Sequence, residues 1–353
     1  MEKAAVEENG LLIPLIDFSK FLDGDPSQKL ATAKAILEGF QTAGFIYLSN
    51  IPIPASTIAH VFDISAKFFQ LPQSTKDSLA WTTPEANRGY SATGREKVSQ
   101  LTDSAAVEAL RASIPDLKES LEISSNETTS GQYPNRWPPE TASNGLLGFR
   151  QTMTDFSAQL QALHVALMRA VAVAMGLPGE GGEGGEGGGE RYFDRFVCDA
   201  DNTLRLLHYP SVRRDLFRIN PGQVRAGEHS DYGSVTFLFQ DERGGLQVKS
   251  PSGEFVDAAP IAGTCVVNTG DLLARWSNDT IKSTVHRVVE PPRREGEEDG
   301  EVYPARYSIA YFCNPNFKDF IEALPGTYAT EADKKYEGIN SGEYLVQRLR
   351  ATY

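Results

Sequence analysis

Residues 227–240 read GEHSDYGSVTFLFQ. The second half, SVTFLFQ, is β-branched and aromatic, which marks a strand. The first half sets His229 and Asp231 two positions apart, in a chain with only five histidines. If the strand includes them, side chains at i and i+2 share a face and can grip one object together. That object is a metal, a proton or each other.

The same texture extends outward from this stretch. NTLRLLHYP (202–210), GLQVKS (245–250), GTCVVNTG (263–270), STVHRVVE (283–290) and ARYSIAYFC (305–313) are short and separated by Gly, Pro, Asp and Asn turns. Such spacing predicts antiparallel sheets packed as a sandwich or barrel. The fold class expected is mainly β with flanking helices, around a double-stranded β-helix (jelly-roll, cupin-like) core at 200–320. PPRREGEEDGE (291–301) interrupts it as a charged hairpin loop.

Upstream, LIPLIDFSKFL is extended, and an amphipathic helix through Leu30, Ala33, Ile36, Leu37 and Phe40 ends near Gly44 before a strand over Phe45–Leu48. TIAHVFDISAKFFQL makes a second helix, stopped at Pro72. Residues 11–125 are expected as an α/β region wrapping the core. From Phe149, apolar residues recur at Met153, Phe156, Leu160, Leu163 and Leu167, so a long support helix is expected over 149–177. The Gly/Glu tract that follows (178–190) cannot bury a core and reads as a flexible insertion. Asn340 and Glu343 can form a capping box for a helix in the C-terminal tail, 321–353. All of these segments make one unit, 1–353.

With 40% hydrophobic and 23% charged residues, the 353-residue chain has the composition of a globular enzyme. Its formal charge of −13 argues against nucleic acid and anionic membrane surfaces as partners. The apolar stretch HVALMRAVAVAMGL carries His164 and Arg169 and is too short to span a bilayer. Three cysteines (Cys198, Cys265, Cys313) without a CxxC read as reduced thiols. MEKAAVEENG has no character of a signal peptide, so a cytoplasmic location is expected, with no obligate protein partner evident.

His286 supplies a second histidine on the β core. Two His and one carboxylate, with other positions open, suit a non-haem Fe(II) oxygenase, although zinc hydrolases use similar donors. Arg306 and Ser308 fall on one face of a strand, and a buried guanidinium fork beside a hydroxyl is a carboxylate receptor. Tyr209 can add a phenolic donor. A redox-capable metal beside such a receptor suits a 2-oxo acid. His60 and His164 sit on helices without a carboxylate at i±4, His208 should point away from Tyr209, and Asp271 in NTGD suits a turn.

In this order, HxD, a distant His and RxS resemble the 2-oxoglutarate- and Fe(II)-dependent dioxygenases of the isopenicillin N synthase-like group. IPLIDFS, GFIYLSN, NTGDLLARWSND and HRVV match that pattern too, so the likeness runs from about residue 11 to the end. Within the group, longer strings such as TTPEANRGYSATGREKVSQLTD, INPGQVRAGEHSDYGS and RYSIAYFCNPN are most similar to the fungal members that oxidise thymine. The resemblance implies Fe(II) on His229, Asp231 and His286, which are also the catalytic centre, and 2-oxoglutarate on Tyr209, Arg306 and Ser308. It implies O₂ as co-reactant, stimulation by ascorbate, and free thymine held by Arg205, Tyr232 and Phe312 with Asn202 and Asn314 close by. Leu207 departs from the pattern, standing where many plant relatives carry Asn.

Thymine's physics agrees with those residue types. A flat neutral ring needs aromatic faces, and its alternating carbonyl and N–H edge needs a few fixed polar groups. Two other readings use the same features: a sibling dioxygenase acting on an amino acid or secondary metabolite, and a metal-free jelly-roll binding protein.

Overall fold

The computed structural model describes residues 3–96, 115–125, 133–179, 189–220, 222–290 and 302–352. The hairpin loop expected at 291–301 and most of the Gly/Glu tract lie outside them. In chain order the elements that build the body are β1 (Lys3–Glu8), β2 (Leu11–Asp17), α1 (Pro26–Thr42), β3 (Phe45–Ser49), α2 (Ala55–Phe69), β4 (Gly89–Ser91) and β5 (Glu119–Ser124). Then come α3 (Phe149–Met175), β6 (Thr203–Tyr209), β7 (Ala226–His229), β8 (Val235–Gln240), β9 (Leu246–Lys249) and β10 (Phe255–Asp257). The last are β11 (Thr264–Thr269), α4 (Asp271–Trp276), β12 (His286–Val288), β13 (Arg306–Cys313) and α5 (Ser341–Thr352).

Nine strands form a large sheet in the order β1-β2-β3-β11-β8-β13-β6-β5-β4, and four form a smaller one, β10-β9-β12-β7. Every named pairing is antiparallel except β2 with β3. Helices cover one face of the large sheet and the small sheet covers the other. Period-two alternation decides which residue faces which layer. On β6, Leu204 and Leu206 enter the helix-side core, whereas Leu207 and Tyr209 enter the core between the sheets. On β13, Ile309, Tyr311 and Cys313 face the helices, leaving Arg306, Ser308, Ala310 and Phe312 on the inter-sheet face. Register then sets Arg306 opposite Tyr209, Ser308 opposite Leu207 and Ala310 opposite Arg205.

Local sequence explains the helices that brace this body. Asp25 caps α1 by accepting from Ser27 and Gln28 backbone N–H, with Gln28 reaching back and Pro26 in the first turn. Gly44 then turns the chain at φ 70°, and a Cβ there would meet Lys282 O at 2.6 Å. The long amphipathic stretch forms all 27 residues of α3, burying Met153, Phe156, Leu160, Leu163 and Leu167 against the core. Its length and apolarity are enough to cross a membrane, contrary to the reading of its shorter apolar stretch. The apolar stripe instead packs against α1, α2 and the sheet. Asn340 Oδ1 accepts from Glu343 N at 3.0 Å, holding the start of α5. None of the three cysteines forms a disulfide.

Candidate active site

His229 and His286 are register partners across β7 and β12, with ring centroids 4.3 Å apart. Asp231 Oδ1 lies 4.0 Å from His229 Nε2 and 3.8 Å from His286 Nε2. The donor atoms of the three residues fall within 4.8 Å of one another. His229 Nδ1 donates to Gly227 O at 2.7 Å and His286 Nδ1 to Thr284 O at 3.2 Å, so each imidazole carries its proton away from the cluster and turns an Nε2 lone pair inward. Burial, then repulsion from His286, pushes His229 down to about 3, which keeps it neutral. Burial disfavours the charged form of Asp231, but His286, His229, Asn268 and Thr236 outweigh it and hold the carboxyl below its usual range. A buried anion with the Nε2 atoms of two imidazoles turned toward it on one side is a donor set that fits Fe(II).

His229 and Asp231 do not share a strand, contrary to the expectation from their spacing. β7 ends at His229, and Asp231 sits in the turn beyond it. Backbone bonds from the start of α4 bring it back: Asp271 N donates to Asp231 O at 2.7 Å, and Gly270 N donates to Ser234 O at 2.9 Å. The motif NTGD thereby positions the carboxylate. Asp271 itself accepts from Ser230 and Ser283 hydroxyls, in keeping with a turn role.

Behind the cluster, between the sheets, lies an inner chamber whose wall includes Lys118, Leu207, Tyr209, Arg306 and Ser308. Arg306 is 1% exposed. Its Nη1 donates to Ser308 Oγ at 3.2 Å, and its guanidinium stacks 4.7 Å from the Tyr209 ring centroid. A dicarboxylate would find two buried cations, a hydroxyl and a phenol here, which fits 2-oxoglutarate. Leu207 occupies the wall as an apolar side chain opposite Ser308.

On the other side of the cluster an outer pocket is lined by Glu96, Arg205, Tyr232, Phe312 and Asn314, with Leu345 and Leu349 of α5. Arg205 lies over Phe312, 5.3 Å from the ring centroid. Asn202 is not part of this wall. Its amide donates to Gln161 Oε1 and Tyr311 Oη and accepts from Asn314 N, so it is a buried brace behind the pocket. Asn314 lines the pocket while its Nδ2 donates to Asp201 O at 2.9 Å.

Of the other histidines, His208 Nδ1 meets Glu119 Oε1 at 2.7 Å on the helix side, and His164 is fully buried in α3. The sequence reading missed Glu96, Lys118 and Asn87 as pocket-lining residues. One signal was available. Lys118, just before β5, alternates with Ser120 and Glu122 inside it, and Arg205 is the ladder partner of Glu122; charged and polar side chains at period two along a buried strand point to a site.

The family model of the 2OG-Fe(II) oxygenase superfamily matches residues 200–315, and the model for the non-haem dioxygenase N-terminal region matches 13–140. The chain belongs to the 2-oxoglutarate- and Fe(II)-dependent dioxygenases, and its cofactor set is Fe(II) with 2-oxoglutarate and O₂. A 2-oxoglutarate-Fe(II) type oxidoreductase of Metarhizium rileyi, ppzD, is 33% identical over 96% of this chain and 90% of its own length. Much nearer is the thymine 7-hydroxylase of Neurospora crassa. Its full-length structure with alpha-KG and thymine is 64% identical, with a TM-score of 0.88 over 99% of this chain and 100% of that one. The same enzyme with alpha-KG and 5-formyluracil gives 61% identity and a TM-score of 0.87 over all of both chains.

Proposed function

We propose that this enzyme hydroxylates the 5-methyl group of free thymine to 5-hydroxymethyluracil, and carries the product on through 5-formyluracil to uracil-5-carboxylate. The observation that carries the reading is the outer pocket. Phe312 and Tyr232 offer aromatic faces, Arg205 offers an edge donor, and Asp231 belongs to both the pocket wall and the metal cluster. The 64% identity to a protein that binds thymine supports it.

His229, Asp231 and His286 would hold Fe(II), and Tyr209, Arg306 and Ser308 would hold 2-oxoglutarate. The bound iron and cosubstrate supply the oxidation, in which 2-oxoglutarate and O₂ yield succinate, CO₂ and one oxygen atom for the substrate C–H bond. The chain's own contribution is aim. The inner chamber faces the cosubstrate, the outer pocket faces the base, and both share the wall made by His229 and Asp231. Leu345 and Leu349 close the pocket with apolar surface and exclude water from the reacting C–H bond. We read the two facing sheets as a double-stranded β-helix with its catalytic core at 200–320, and the acidic chain as a cytoplasmic enzyme without a nucleic-acid, membrane or obligate protein partner.

A pyrimidine panel with product mass spectrometry tests the assignment. Thymine should be oxidised in preference to thymidine or single-stranded DNA, whose N1 substituent meets the pocket wall, and Asp231→Ala should remove Fe(II) binding and turnover while leaving the fold. Equal oxidation of thymidine and thymine would defeat the free-base reading.

A further inference from the structure

Glu96 stands in the wall of the outer pocket, 4% exposed, with both oxygens held by cations. Oε1 pairs with Arg205 Nη1 at 3.1 Å and Oε2 with Lys118 Nζ at 2.9 Å. A second carboxylate, Glu122, lies 2.7 Å from Arg205 Nε but is wholly buried and takes no part in the wall. Aiming the guanidinium therefore needs no carboxylate at the pocket surface, since Glu122 braces it from behind. Burial disfavours the charged form of Glu96, yet Arg205 and Lys118 overcome this and hold it down to about 2. It is an acceptor only. Arg205 is a donor only. Arg205 lies over the Phe312 ring with Glu96 paired beside it, and the two form a fixed acceptor–donor pair.

We infer that Glu96 is a specificity-determining residue that accepts a ring N–H of the substrate while its neighbour Arg205 donates to the adjacent carbonyl, so that the pocket selects a lactam edge. A carboxylate oxygen has lone-pair capacity beyond one cation contact, so each oxygen that binds Arg205 or Lys118 can still accept. A flat heterocycle lying on Phe312 presents its edge, not its face, to this pair. An edge with an unprotonated ring nitrogen in place of N–H would set a lone pair against a buried anion and leave both without a hydrogen bond, which is the strongest kind of rejection a pocket can build. The inference rests on the thymine reading and adds the group that tells an N–H edge from its alternatives.

The test is anaerobic equilibrium binding to the Fe(II)- and 2-oxoglutarate-loaded protein, with no turnover, using thymine, 1-methylthymine and 3-methylthymine. The proteins are the unaltered enzyme, Glu96→Gln and Glu96→Asp, the last keeping the charge but withdrawing the oxygens. Retained 2-oxoglutarate binding and an unchanged melting temperature identify folded variants. Either variant should weaken thymine at least tenfold, yet weaken one of the two N-methyl bases by less than twofold, because that base has already lost the contact. Equal weakening of all three ligands would reduce Glu96 to an aiming residue for Arg205 and overturn the inference, as would unchanged thymine binding in both variants. If no pyrimidine binds the unaltered enzyme, the thymine reading itself has failed, an outcome separate from either of these.

Discussion

Asn268 donates its side-chain amide to Asp231 Oδ2 at 2.7 Å, and Thr236 donates its hydroxyl to the same oxygen at 2.6 Å. The other oxygen, Oδ1, is thereby left facing the two histidines. Since Asp231 lies in a turn outside β7, these side-chain bonds and the backbone bond from Asp271 replace the strand as its support.

Asn268→Ala should therefore weaken Fe(II) binding by about tenfold to a hundredfold without unfolding the protein, the usual range for loss of a group that orients a metal ligand. A metal titration followed alongside a thermal melt checks this. Undiminished affinity would mean that Thr236 and the backbone orient Asp231 without help.

Arg306 directs its guanidinium three ways: Nε to Gly244 O at 2.9 Å, Nη1 to Ser308 Oγ at 3.2 Å and Nη2 to Gln240 Oε1 at 3.2 Å. An ammonium cannot hold that fan and still offer a planar fork. In Arg306→Lys the apparent affinity for 2-oxoglutarate should fall by about tenfold or more. The readout is a 2-oxoglutarate titration, and an unchanged value would remove Arg306 from the receptor.

His164 carries a pH dependence unrelated to catalysis. It is fully buried in α3, both ring nitrogens lack a hydrogen-bond partner among the described residues, and burial pushes it from 6.5 down to about 3. The unfolded chain takes up its proton below about pH 6.5 while the folded chain does not, so stability is intact above that pH and falls between about 6.5 and 3. By pH 5 the loss from this residue is about 2 kcal/mol, at about 1.4 kcal/mol per unit. Denaturant unfolding at pH 7 and pH 5 should show His164→Leu losing about that much less than the parent. Parallel losses in the two proteins would mean that water reaches the ring.

Much of the site was legible because period two governs it. Arg306 and Ser308 share a face with Phe312, and Tyr209 with Arg205, wherever β6 and β13 are drawn, and pairing the strands brings both sets to one side. Asp231 was found for a different reason than the one offered, because a turn docked on α4 imitates the reach of a strand. Asn202 was expected near the base from the resemblance alone, and no strand period supports it, since three positions separate it from Arg205; it precedes β6, and its amide is consumed by Gln161, Tyr311 and Asn314. Glu96 was hidden because its cations, Lys118 and Arg205, lie 22 and 109 positions away, and only the folded sheet shows that the charges meet.

An arginine of the C-terminal helix ties that helix to the wall of the outer pocket. Arg348 of α5 places its guanidinium 4.6 Å from the Tyr232 ring centroid and pairs with Asp271 Oδ2 at 2.8 Å, while Leu345 and Leu349 on the same helix line the outer pocket. Tyr232 is one of the two aromatic side chains that line the outer pocket, so the arginine fixes both the ring and the helix beside it. A partly desolvated cation over an aromatic ring contributes about 1–2 kcal/mol. Losing it in Arg348→Ala should raise the KM for thymine by about tenfold with a smaller fall in kcat, because what is lost is placement of the base before chemistry begins. Fe(II) and 2-oxoglutarate affinities should stay within about twofold, since Tyr209, Arg306 and Ser308 sit on the far side of the metal cluster. Steady-state kinetics beside separate metal and cosubstrate titrations distinguish the outcomes. A matching loss of Fe(II) affinity would show that Arg348 acts through Asp271 on the Asp231 turn, and an unchanged KM would show that the helix covers the pocket without this pair.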